Sequence, residues 1–566
     1  MIEPDTGVSD LMAGVRSELT APGGLFEVGI EEVRGNLLSV FTHRFRSLRA
    51  MLDATGRYGE RTFIVDGEVR MSFAAHLEAA DAMAAFLQED AGIRPGDRIA
   101  IFAANRWEWI VTFWAVTSAG AIPAAFNGWW TPDEVTHALD LVGPRLVIGD
   151  HDRLERLAGL AAGTPGLEMD EIAGMCQERA GQHPTPAVVA EDDVALLLFT
   201  SGTTGRAKAV MVPHRSAIGF VQLNSLGDAM ASRVMSGDVP RAGDLLPPSD
   251  DVVLVTSPLF HTSMLQGFMI AGVLRGNTVV LLPGRFDPGR VLQTIEREGV
   301  TMWSALGSAA PRVCASDAIG RYDTSSLRRL GIGGAPVSPA IQTQMRQAFP
   351  SARQSLGMGY TSTEGGAVVA NIGGPEYMAH PTSTGRVTVT TELEIRDPLG
   401  AALPEGEEGE VHVKSPYIMR GYWRDPAASE AVLKSDGWLA MGDIGFLREG
   451  LLYINSRARD IILVSAENVS PTEVEYCLEE HPLVGEAAVF AVDDAQTGDA
   501  VCAVVSLRAD SELAEGELES WCRTRLAYFK VPTRWCVVRD ALPRTASGKL
   551  LKVELRKWVT EGSQRA

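Results

Sequence analysis

The chain is 566 residues long and carries 51 Lys and Arg against 72 Asp and Glu, a formal charge of −21. Such a surface repels a phosphate backbone and no basic run offsets it, so nucleic acid is excluded as a partner, although a nest of backbone N–H groups can still hold a small anion. With 45% hydrophobic and 22% charged residues, the composition excludes disordered and fibrous classes and leaves room for roughly three or four domains of about 150 residues.

The chain opens MIEPDTGVSD, acidic and without the basic start and apolar core of a signal peptide, so a cytoplasmic location is expected. Cys176, Cys314, Cys477, Cys502, Cys522 and Cys536 form no CxxC pair and lack zinc spacing, which fits reduced thiols. Ala and Leu at helical spacing predict a helix over 73–89, followed by a strand over 98–103. Residues 109–132 carry no charge over 24 positions, the length of a membrane span. Ser118, Gly120, Pro123, Asn127 and Gly128 interrupt that stretch, so a buried helix and a loop are expected and an integral membrane protein is not.

Further strands are predicted over 146–150, 194–200, 252–256 and 278–282, and a helix over 287–298 with Asp287 as cap and Pro288 in its first turn. Alternation of this kind is the signature of α/β layers, whose ligands sit beyond the carboxyl ends of strands. After about residue 460 the texture shortens to strands over 486–492 and 500–507 and a helix over 517–526. The expected organisation is an α/β body over 1–459, built of subdomains, and a small α+β cap over 460–566.

The strongest local signal is FTSGTTGRAKAV at 199–210. An apolar strand runs into small and hydroxylated residues and then Lys208. Glycines let backbone approach phosphate oxygens, while hydroxyls, N–H groups and the ammonium donate to them. It is not the Walker pattern, and an isolated cluster of this kind is more often a solvated loop. The rest of the chain changes that balance. In order follow PLFH at 258–261, GGAP at 333–336, GYTSTEGG at 359–366 and DGWLAMGDIG at 436–445, then SRARDIILVSAENVSPTEVE at 456–475 and LPRTASGKLLK at 542–552.

This order resembles the adenylate-forming superfamily, which includes acyl-CoA synthetases, peptide-synthetase adenylation domains and firefly luciferase. The resemblance covers the chain from about 38 to 557 and implies a large α/β body with a mobile C-terminal cap. It also implies ATP, Mg²⁺ and coenzyme A as partners of a small-molecule carboxylic acid. By resemblance, Thr200, Ser201, Gly202, Thr203, Thr204, Gly205 and Lys208 cradle the β- and γ-phosphates. Thr363 meets the α-phosphate and Glu364 holds Mg²⁺. Tyr360 with Gly334, Ala335 and Pro336 holds adenine, and Asp443 and Arg457 meet the ribose hydroxyls. Lys549 is the family's adenylation lysine, a charge whose loss typically costs about 10² to 10³ in rate. Trp438 reads as structural. Asp460 is the implied hinge about which the cap swings between half-reactions.

Several positions depart from the family pattern. Ala207 and Ala209 flank Lys208 where Pro and Gly are usual, Met441 precedes Gly442 where Thr is usual, and Thr361 and Ser456 replace glycines. Ala466 replaces a glycine in the segment beside the thiol channel. An extra Cβ near phosphate places ATP handling in question. The resemblance implies an acyl pocket near His261, Trp303, Gly333 and Met358, with Trp129, Trp130, Phe260 and Met264 nearby and no basic residue for a second carboxylate. The expected activity is therefore an acyl-CoA ligase for a hydrophobic monocarboxylic acid, fatty or bulky and polycyclic, with an aryl acid ranked below these. Two alternatives stay open: an enzyme that performs thioester formation on an adenylate made by a partner enzyme, and a non-catalytic nucleotide or acyl-adenylate binding protein. A homodimer is likewise left open.

Overall fold

A computed structural model of the protein describes residues 6–157, 163–201, 206–236, 249–282, 284, 286–307, 309–334, 337–464, 467–494, 498–508, 511–545 and 549–560. Two large sheets form the body. The first has six strands in the order Ala207–Pro213, Val194–Ser201, Ile122–Ala125, Arg98–Phe102, Leu146–Gly149 and Gly166–Glu168. All neighbours in it are parallel except the antiparallel pair at the Ala207–Pro213 edge.

The second sheet has thirteen strands. Its central part, from Gly357–Tyr360 through Arg329–Gly333, Met302–Leu306, Val252–Val255 and Thr278–Leu281 to Thr62–Asp66, is parallel. From Ala370–Gly373 outward the strands turn antiparallel and end in a meander that contains Leu439–Arg448 and Leu451–Arg457. The parallel part places the carboxyl ends of its strands side by side, the arrangement that opens a ligand crevice.

The meander stops at Arg457, and a short 3₁₀ turn over Ala458–Asp460 leads into a separate sheet. That sheet contains Ile462–Val464, Glu467–Val469, Val484–Asp494, Gly498–Leu507 and Arg534–Val538 around its own apolar cluster.

Local chemistry accounts for the elements that frame the crevice. Ser72 Oγ accepts from the Ala75 N–H at 3.1 Å and starts the helix Phe73–Glu89. Asp287 accepts from the Arg290 N–H at 2.8 Å, Pro288 occupies the first turn, and Gly299 closes the helix Pro288–Glu298 with a φ of 61°. The uncharged stretch resolves into the helix Trp107–Ser118, buried on every side from Glu108 onward, and the strand Ile122–Ala125. Glu108 is held there by Arg106 at 2.7 Å. Among the described residues no helix is long and apolar enough to cross a membrane.

Candidate active site

The strands Val194–Ser201 and Ala207–Pro213 form an antiparallel hairpin in which Lys208 faces Thr200 and Ala209 faces Phe199. The loop between them carries the glycine-rich motif; Gly202, Thr203, Thr204 and Gly205 lie outside the described residues. The substituted Ala209 belongs to the core beside this hairpin. Its residue is fully buried in an apolar cluster with Leu197, Phe126 and Trp130, so the extra Cβ fills core behind the strand. Its carbonyl accepts from the Trp423 N–H at 2.7 Å.

Lys208 Nζ stands 4.8 Å from the centre of the Tyr422 ring, a cation–π distance. The Tyr422 hydroxyl donates to Glu364 Oε1 at 3.0 Å. Burial, and then the Glu364 charge, push that phenol above its ordinary value, so it stays protonated and remains a donor. Neighbouring Thr363 Oγ1 lies 2.9 Å from Thr262 Oγ1. Tyr422 and Thr262 escaped sequence reasoning. The only available signals were a GYW run and the residue after His261, neither specific alone.

The other end of the crevice is built on a cross-strand pair. Asp443 and Arg457 face each other in the meander, with Arg457 Nε 2.7 Å from Asp443 Oδ1. The Tyr360 hydroxyl donates to Asp443 Oδ2 at 2.5 Å. Burial pushes the Asp443 carboxyl above the usual carboxylate value, while Arg457 and the Tyr360 hydrogen bond pull it back. Burial and the adjacent carboxylate push the Tyr360 phenol well up. The substituted residues pack into this region. Met441 is buried beneath the 361–365 turn, with Ser362 Oγ 3.9 Å from its sulfur, and the Thr361 hydroxyl donates to the Ala367 carbonyl at 2.7 Å.

Lys549 comes from the C-terminal unit and stands close enough to feel the charges of Arg457, Asp443 and Glu364. Desolvation, and then Arg457, draw its ammonium below the ordinary lysine value; the residue keeps contact with solvent, which limits that fall. Asp460 lies in the connecting turn with its carboxylate 3.9 Å from Arg459 Nε. Ala335, Pro336 and Ala466 lie outside the described residues, whereas Gly334 adopts a φ of 78° beyond the strand Arg329–Gly333.

The proposed pocket residues do not all converge. Gly333 has room at its strand end: a Cβ there would meet nothing nearer than Leu306 at 3.8 Å. Met358 lies on the neighbouring strand with its sulfur 3.3 Å from the Tyr377 hydroxyl. The His261 ring lies tilted against Phe260 with centroids 4.8 Å apart, and its buried Nε2 has no partner among the described residues. Burial, and then Lys549, pull its pKa to about 4, so the ring is neutral. Trp303 is a core residue with no exposed surface; its Nε1 donates to Thr256 Oγ1 at 3.1 Å and its ring packs on Phe349. Trp129 is exposed, Trp130 packs behind the phosphate-loop strands, and Met264 is core.

The donor set fits a hard cation carried by its substrate. Glu364 Oε1 accepts the hydrogen bond of the Tyr422 hydroxyl, and its other oxygen has no partner among the described residues. Among those residues no three His, Cys, Asp or Glu cluster as a protein-built metal cage. One carboxylate plus phosphate oxygens and water is the way Mg²⁺ is ordinarily held.

Known proteins resemble this chain along most of its length. The family model for the AMP-binding enzyme matches residues 52–423, and that for the AMP-binding enzyme C-terminal domain matches 473–549. The chain is 34% identical to a feruloyl-CoA synthase of Amycolatopsis sp, over 82% of this chain and 90% of that protein. It is 30% identical to 4-coumarate–CoA ligase 5 of Oryza sativa subsp. japonica, over 89% and 92%. The solved o-succinylbenzoate CoA synthetase of Bacillus subtilis, in complex with its acyl-adenylate intermediate, superposes with a TM-score of 0.76 at 28% identity, over 91% of this chain and 98% of that one.

Proposed function

The chain belongs to the AMP-binding enzyme family, and on that footing we propose that it is an AMP-forming acid–thiol ligase that joins a ring-bearing hydrophobic monocarboxylate to coenzyme A. A carboxylate resists thiol attack because its leaving group would be oxide. In the first half-reaction the carboxylate oxygen attacks the α-phosphorus of ATP, the bond to pyrophosphate breaks, and an acyl-adenylate forms. In the second, the CoA thiol sulfur attacks the acyl carbon and AMP leaves.

The residues divide this work by charge. Asp443 accepts from the ribose hydroxyls with Arg457 beside it, and the Tyr360 ring lies against the base. Thr200 and Lys208 hold phosphate oxygens, with Thr363 toward the α-phosphate. Glu364 would hold Mg²⁺, which would supply positive charge toward the pyrophosphate. Lys549 supplies a positive charge between carboxylate and α-phosphate. The neutral His261 stands at the acyl side with Gly333 and Met358. Asp460 is the hinge that withdraws Lys549 after adenylation so that the thiol can enter.

The observation that carries this reading is the position of Lys549. A residue of the C-terminal unit, beyond the last strand of its sheet, lies within the fields of both Asp443 and Glu364, as adenylation requires and as nucleotide binding alone does not. The relatives' phenylpropanoid acids favour an arylpropenoate over the fatty acids that the apolar sequence suggested.

The test is ATP–pyrophosphate exchange with ferulate, 4-coumarate, palmitate and a polycyclic propanoate, paired with thioester formation from synthetic acyl-adenylate and CoA. Exchange with the arylpropenoates and thioester formation together support the ligase. Thioester formation without exchange on any acid leaves an enzyme of the second half-reaction only, and neither activity leaves a binding protein.

A further inference from the structure

An N-terminal hairpin, Val28–Val33 with Asn36–Phe41, precedes the matched family segment that begins at residue 52, and its turn contacts the segment 416–419 beside the site. Its two-residue turn is Arg34–Gly35, with φ of 50° and 80°. Glycine or asparagine ordinarily fills the first place of such a turn, because a larger side chain is strained there. The turn itself therefore does not call for arginine; the guanidinium does. Nη1 donates to the carbonyls of Ile418 and Met419, each at 3.1 Å, and Nη2 donates to that of Pro416 at 3.1 Å. Nε stands 3.9 Å from Asp192 Oδ1. The three carbonyls belong to an irregular segment beyond the strand Gly409–Lys414, where no strand ladder satisfies them.

The same segment supports Glu364. The Met419 N–H donates to the Glu364 carbonyl at 2.8 Å. The Tyr417 carbonyl presses on Gly366 so closely that a Cβ there would collide with it. Three residues past Met419, Tyr422 holds the Glu364 carboxylate at 3.0 Å. The hairpin is anchored on its other side by Asn36, packed against Gly437 in the turn before Leu439–Arg448.

We propose that Arg34 is a positioning residue for the metal and phosphate end of the site: by fixing the backbone at 416–419 it aims the Glu364 carboxylate. This rests on the ligase reading above. The ribose end is pinned independently by Arg457 and Tyr360 on Asp443, so loss of Arg34 separates the half-reactions.

The test is Arg34→Gly in the full chain, which removes the guanidinium while relieving the turn, so the fold is retained. With the panel acid that supports exchange in the unaltered protein, the Mg²⁺ concentration for half-maximal ATP–pyrophosphate exchange rises by about tenfold or more. Thioester formation from preformed acyl-adenylate changes by less than about twofold, and unfolding stays cooperative, the lost carbonyl bonds being offset in part by the relieved turn. Arg34→Lys, which keeps a cationic donor, recovers part of the loss. Unchanged Mg²⁺ dependence in Arg34→Gly overturns the assignment, as does an equal fall of both half-reactions together with the melting temperature. An unaltered protein inert toward the whole panel overturns the ligase reading first, and the assignment with it, which tells the two failures apart.

Discussion

The Tyr360 hydroxyl donates to Asp443 Oδ2 at 2.5 Å while Arg457 holds the opposite oxygen at 2.7 Å, so a carboxylate side chain only 5% exposed has one fixed donor on each side. Tyr360→Phe keeps the ring and deletes one donor. A buried acceptor stripped of its partner costs about 1–3 kcal/mol. If that cost is felt in nucleotide binding, the KM for ATP rises by roughly 5- to 150-fold at about 1.36 kcal/mol per decade. Steady-state kinetics at saturating acid checks this, and an unchanged KM would show that the hydrogen bond does not organise the ribose end.

Lys549→Ala separates the two half-reactions. ATP–pyrophosphate exchange falls by about 10² to 10³, the typical loss for a charge that stabilises the transition state. Thioester formation from acyl-adenylate changes far less, because the lysine acts before the thiol arrives. Equal losses in both assays argue for a general folding defect, which circular dichroism of the variant distinguishes.

Asp460→Pro fixes φ in the turn Ala458–Asp460 that joins the two sheets. The protein stays folded, since the apolar clusters on either side do not include the turn. Its two half-reactions are impaired to different extents, because one swing position is lost more than the other. Matching rates for both steps in stopped-flow assays remove the hinge.

Restoring the family's usual glycine with Ala209→Gly does not improve catalysis. The Cβ lies in a fully buried cluster, so its removal loses a packed methyl and adds backbone freedom in a strand, for a cost of about 1–2 kcal/mol. Thermal unfolding shifts down while ATP–pyrophosphate exchange does not speed up. A faster exchange would return the alanine to the phosphate site.

Three buried histidines set the acid limit of stability. Burial holds His214 and His261 at about 4 and His76 at about 3, against an ordinary value of 6.5. The Leu48 N–H donates to His214 Nδ1 at 3.2 Å, a bond that needs the nitrogen unprotonated. Folded-state values below the unfolded ones mean that the stabilisation is complete above about pH 6.5. It is then lost as the pH falls toward 4, where the unfolded chain binds protons that the folded one refuses. Melting temperatures between pH 8 and 4 test this, and His214→Asn, which keeps an acceptor near Nδ1, flattens part of the slope.

The fold was legible where local chemistry and periodicity agreed. The helix Phe73–Glu89 was read to the residue because Ser72 caps it and Ala and Leu repeat along one face. The helix predicted over 517–526 instead spans Glu515–Arg523, since Glu517 bonds back to the Ala514 N–H at 2.9 Å and sets the start earlier. Within the site, charged residues inside contiguous motifs were found. Tyr422 and Arg34 were not, because their contacts bridge 58 and 385 residues and no local pattern encodes such a pairing. Trp303 shows the converse: the resemblance implies a pocket residue, and only its full burial against Phe349 reveals a core side chain.

The thirteen-stranded sheet also sets a timetable for synthesis. The strand Thr62–Asp66 pairs with Thr278–Leu281, and the whole six-stranded sheet is drawn from the chain between them. At about 5–20 residues per second, roughly ten to forty seconds pass on the ribosome before that partner exists. In that interval the hairpin made with Val69–Ser72 covers only one edge of Phe63, Ile64 and Val65. The other edge is an open template for aggregation. The period of greatest need for chaperones therefore falls midway through translation, before most of the strands that build the crevice have been synthesised.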